Sequence, residues 1–191
     1  MTALTLLLIA LAAVAVGVIL VRSIPALSTY VTFRGKRLIT CPETHKTAAI
    51  DVAAGKAALT AVFGEPTLRL DNCSRWPEHK DCGQECLQQV EADPDNCLLW
   101  NIVSNWYEGQ TCVYCHKRFD RRQHLDHAPA LLAPDGTTAE WNEFRPEQLP
   151  DVFFTFRPVC WNCHVAETFR RVHPELVTDR HRDVHLTSLA R

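Results

Sequence analysis

The stretches "TCVYCHKRF" (111–119) and "PVCWNCHVAE" (158–167) decide how this chain is read. Each holds a C-x-x-C pair with histidine directly behind it: Cys112, Cys115, His116 and then Cys160, Cys163, His164. Two chemistries fit. C-x-x-C-H is the attachment signal for haem c, with two thiols for the vinyl groups and a histidine for the iron. Two C-x-x-C pairs also make four thiolates, a complete tetrahedral set for structural zinc. The gap between the pairs exceeds the 15–20 residues common in zinc ribbons, so an inserted hairpin would have to fill it.

The histidines separate the two readings. Only 9 of the 191 residues are His, so finding one behind both pairs by accident has a chance of about 1 in 450. That coincidence favours haem. The single methionine is Met1, so a soluble-domain haem would need histidine as its second axial ligand. His124, His127 and His173 lie nearest the motifs in sequence.

Outward from the motifs, the chain begins with an uncharged run of 21 residues, "MTALTLLLIALAAVAVGVILV". Its length matches the ~20 residues that cross a bilayer as a helix. No basic residue precedes it, and it is longer than an ordinary signal-peptide core, so a retained single-span anchor is expected. Arg22, Arg34, Lys36 and Arg37 follow it, and basic residues on that side favour a cytoplasmic domain. Haem c attachment demands the opposite side. The motifs are given more weight here, and the soluble part is expected in the periplasm or another extracytoplasmic space. The net charge of −2 lacks the basic footprint of a nucleic-acid binder.

The anchor and the two motifs resemble membrane-anchored multihaem c-type cytochromes, in which Cys115-His116-Lys117 would be a familiar ending. The resemblance implies an electron carrier with two haems, working with a redox partner or membrane oxidoreductase complex. It does not reach the cysteine-rich stretch at 71–97. There Cys73, Cys82, Cys86 and Cys97 suit two disulfides in an oxidising space, or a second metal site in a reducing one, with Cys41 left unpaired. The zinc alternative implies a structural or adaptor subunit of a membrane complex. No Ser-His-Asp or Gly-rich phosphate pattern stands out, so an independent enzyme is not expected.

The expected fold is α+β, small and irregular. Its parts are an anchor at 1–26, a mixed region with the cysteine-rich stretch at 27–110, and the motif region at 111–191. Pro25 is expected to stop the first helix, and "YVTFRGKRLIT" (30–40) reads as a hairpin. A strand and an Ala-rich helix are expected in 47–64, and an amphipathic helix in 97–107. The Pro-Asp-Gly turn at 134–136 marks a second hairpin, and a helix should begin on the second motif and end near Pro174.

Overall fold

The computed structural model describes residues 3–76, 78, 81–120 and 129–177. It is small and mixed α/β, as expected, with a long apolar helix at its N-terminus. The chain divides into two compact units. One comprises Met1–Trp106 with Arg145–Pro150, and the other Tyr107–Phe144 with Asp151–Arg191.

In the first unit, helix α1 runs from Ala3 to Phe33. At 31 residues and a mean hydropathy of 3.0 over its most apolar window, it is long and apolar enough to cross a membrane. A signal sequence would meet the same test. Its apolar side chains, among them Leu4, Leu7, Val16, Leu20 and Val31, are exposed. Pro25 lies inside this helix rather than ending it. Helix α2 (Ala54–Ala61) packs against α1, and Arg22 donates to the Val62 carbonyl at 3.1 Å. Tertiary support thus carries the helix past a residue that removes one of its hydrogen bonds.

The helix ends at Gly35, whose φ of 92° only glycine adopts without strain. An added Cβ there would also meet Leu98 Cδ1 at 3.2 Å. Residues 30–33 therefore finish a helix, and the expected hairpin at 30–40 is displaced. The actual hairpin pairs β1 (Lys36–Thr40) with β2 (Thr47–Val52), with Leu38 opposite Ala49. Strand β3 (Leu70–Cys73) joins the other edge of β2, with Ile50 opposite Cys73.

Both faces of this sheet are covered, so its strands carry runs of buried residues instead of a strict alternation. Ile39, Ala48, Ile50, Leu70, Leu87 and Val90 form the centre of its core. Helices α3 (Leu87–Ala92), α4 (Pro94–Cys97) and α5 (Leu99–Tyr107) follow. Asp93 caps α4 by accepting from the Asn96 N–H at 3.2 Å.

The second unit holds a sheet in the order β5-β4-β6, all antiparallel. Strands β4 (Ala130–Leu132) and β5 (Thr138–Glu140) form the hairpin expected at the Pro-Asp-Gly turn. Gly136 takes a φ of 86° in it, and Asp135 caps the turn through the Thr137 N–H at 2.9 Å. Helix α6 (Leu149–Thr155) leads to β6 (Arg157–Val159), an edge strand that tolerates Pro158. Helix α7 (Trp161–Val172) starts on the second motif and stops just before Pro174, as its sequence predicts. Tyr107, fully buried, donates its hydroxyl to the Ala130 carbonyl at 2.8 Å and packs on Phe119.

Candidate metal centre

The first motif folds as a tight loop closed by a bridge between Thr111 and Arg118. Inside it the Cys112 N–H donates to the Lys117 carbonyl at 2.9 Å, and the His116 N–H donates to the Cys112 carbonyl at 2.9 Å. This turn forces residue 116 into the left-handed region, at φ 58°. Histidine is among the few non-glycine residues enriched there. His116 is exposed, and its visible role is in the backbone.

The second pair is built differently. Cys160 is the residue preceding α7, and Cys163 lies in the helix's first turn. Two contacts tie the motifs together. The Val113 N–H donates to the Pro158 carbonyl at 3.1 Å, and the Cys160 N–H donates to Cys112 Sγ at 3.3 Å. The inserted hairpin β4–β5 and its partner β6 bridge the sequence gap and bring the pairs into register. His164 is buried, with Nδ1 2.9 Å from Thr138 Oγ1 on β5. It fixes α7 against the sheet.

As a result the sulfurs of Cys112, Cys115, Cys160 and Cys163 all lie within 4.8 Å of one another. Cys115 and Cys160 are separated by 3.6 Å between sulfurs. A tetrahedron with Zn–S bonds of about 2.3 Å has sulfur–sulfur edges of about 3.8 Å, so the spacing fits one ion. The four side chains are thus a cysteine cluster that fits a metal such as zinc. All four positions of the tetrahedron are filled by protein.

The electrostatics suit a cation held among these sulfurs. Burial opposes ionisation of Cys112, but the backbone N–H groups of Cys115, Cys160 and Tyr114 outweigh it and bring the thiol down to about 7. Burial pushes the Cys160 thiol up. Burial, and then the crowding sulfurs of Cys160, Cys115 and Cys112, push Cys163 up further. Four thiolates cannot coexist here without a cation between them.

Burial favours the protonated thiols of Cys160 and Cys163, so an incoming ion must displace protons there. Zinc affinity is expected to fall by at least about 100-fold per pH unit on acidification, because two or more protons compete. Competition against a chromophoric chelator between pH 7.5 and 6 would measure this. An affinity independent of pH would exclude thiolate ligation.

The remaining residues singled out from sequence fall elsewhere. His173 is exposed at the end of α7, beside Glu175 at 3.5 Å and the Phe169 ring. His124 and His127 lie outside the described residues. Cys73, Cys86 and Cys41 gather at the core of the first unit with Cys97 also packed on it. Comparisons with family models, with curated proteins and with solved structures found no match to this chain.

Proposed function

We propose that this chain is a membrane-anchored zinc-binding protein whose second unit is organised by one ion on Cys112, Cys115, Cys160 and Cys163. The observation that carries this reading is the convergence of all four sulfurs on one point. Two haems, each bridged by its own cysteine pair, need those pairs apart, at separate porphyrins. Nothing in the arrangement of these side chains supports that alternative. The histidines that favoured haem have local explanations: His116 serves a left-handed turn, and His164 a buried hydrogen bond to Thr138.

A site with four protein ligands and no open position is structural rather than catalytic. The protein is therefore read as a scaffold or adaptor held at a bilayer by α1, not as an electron carrier or enzyme. Elemental analysis of the purified full-length chain, run beside a haem stain on a denaturing gel, tests this. Zinc that is lost in a Cys112→Ser/Cys160→Ser variant, with no haem stain, is the expected result. A covalently bound haem in the wild-type chain would overturn the proposal.

A further inference from the structure

We infer that the first unit carries a second thiolate metal site, formed by Cys41, Cys73, Cys82 and Cys86, which takes a single zinc ion.

The inference begins with a turn that occurs twice. Around Cys41 the backbone repeats the geometry of the Cys112 loop. The Cys41 N–H donates to the Lys46 carbonyl at 2.9 Å, and the His45 N–H donates to the Cys41 carbonyl at 2.8 Å. His45 has a φ of 53°, against 58° for His116. In both loops the N–H groups two and three residues on point at the cysteine sulfur: Glu43 and Thr44 at Cys41, Tyr114 and Cys115 at Cys112. Backbone amides aimed at a sulfur stabilise it as a thiolate, the form that binds metal. In the Cys41 loop, Thr44 stands where the second loop has Cys115. Its Oγ1 is buried without a hydrogen-bond partner. Its hydroxyl proton is available to a Cys41 thiolate.

A loop with one cysteine needs three ligands from elsewhere, and the fold delivers three. Cys73 ends β3, where Ser74 is locked to Ala49 by its N–H at 2.8 Å and its Oγ at 3.1 Å. The segment from Cys82 to Cys86 is drawn to β3 by Gln84, whose Oε1 accepts from the Leu70 N–H at 3.0 Å. Gln84 pays a positive φ of 56° to make that turn. Gln89, three residues beyond Cys86, holds Thr40 through both its amide atoms, at 2.6 and 3.1 Å. This clamp sets the segment after Cys86 directly beside the residue before Cys41.

The four thiols are one another's electrostatic neighbours. Cys73 and Cys86 are buried in one core cluster with Cys41 packed against it, and Cys82 lies within electrostatic reach of both buried thiols. Cys97 is not among them. Its charged neighbours are Arg37 and Asp93, and its sulfur faces the Gln89 carbonyl at 3.7 Å. In the inferred site the cysteine left over is Cys97, where the sequence alone suggested Cys41. The set is looser than Cys112–Cys163, the one group among the described residues whose ligand atoms all lie within 4.8 Å. Zinc would close it, releasing the thiol protons to solvent.

The site stands on its own cysteines and does not depend on occupancy of the first. The test uses the full-length chain in detergent, purified under reducing conditions. Wild type is expected to hold two zinc ions. Cys41→Ser/Cys86→Ser should hold one, Cys112→Ser/Cys160→Ser should hold one, and Cys97→Ser should keep two. One zinc in both wild type and Cys41→Ser/Cys86→Ser would overturn the second site and leave the first intact. Two in wild type and in Cys112→Ser/Cys160→Ser would overturn the first instead. Differential alkylation of wild type purified without reductant covers a variant that fails to fold. Cys41, Cys73, Cys82 and Cys86 should become reactive on chelation alone. If they react only after a disulfide reductant, they are paired with each other and the inference fails.

Discussion

Replacing Cys112 and Cys160 by serine should unfold the unit formed by 107–144 and 151–191 while the sheet β1–β2–β3 stays protected. The reason is how little else holds this unit. Its three strands are three residues each, and its buried apolar residues include Tyr107, Phe119, Leu131 and Val159. A core of this size rarely sustains a fold without a disulfide or metal staple. Structural zinc supplies apparent binding free energies of about 10–16 kcal/mol, which here would be folding free energy. Hydrogen exchange read by segment is the measurement. The amides of Cys112 and His116, protected by carbonyls within the loop, and of Val113, protected by the Pro158 carbonyl, should exchange freely in the variant. Unchanged protection there would show that the cluster is not what holds the unit.

Much of this fold was legible because local signals and tertiary demands agreed. The Pro-Asp-Gly hairpin carries its own turn chemistry, while the Ala-rich helix and the helix on the second motif form where their residue spacing puts them, without a side-chain cap. Pro25 misled because a proline rule describes an isolated helix, whereas α1 is packed on α2. The site was half legible. The six residues singled out in the two C-x-x-C-H stretches include four that converge, and the zinc alternative named them. Their histidines pointed toward haem because a sequence does not display φ. A left-handed turn and an axial ligand leave the same letter behind. One signal was present and passed over: "CPETHK" (41–46) and "CVYCHK" (112–117) share C-x-x-x-H-K. Both place histidine at the left-handed position and lysine at the carbonyl that closes the loop. That repeat makes Cys41 the counterpart of Cys112 in the same turn.

Arg37 offers the other large effect, because it is a cation with no exposed surface at all. Its two terminal nitrogens donate to the Pro94 and Thr32 carbonyls, and its guanidinium lies 5.9 Å from the centre of the Phe33 ring. Thr32 is in the last turn of α1, where carbonyls lack intrahelical partners, so one side chain closes that helix and fastens it to α4. Charge-assisted bonds of this kind contribute roughly 1.5–3 kcal/mol each, and removing the donor leaves both carbonyls buried and unpaired. Arg37→Ala is expected to cost about 3–5 kcal/mol, on the scale of a broken buried ion pair. Thermal unfolding in detergent should show the midpoint falling by more than about 10 °C. Arg37→Lys should recover only a minor part, since one ammonium cannot reach two carbonyls in a fixed fork. The same burial bears on orientation. A guanidinium consumed inside the fold is a poor topology determinant, so among the basic residues after the apolar run 1–21 the signal rests on Arg22, Arg34 and Lys36, the last paired with Asp51 at 3.7 Å. A C-terminal reporter should therefore give the same side of the membrane for Arg37→Gln as for wild type. Loss of stability without a change of side is the combination that a purely structural Arg37 requires.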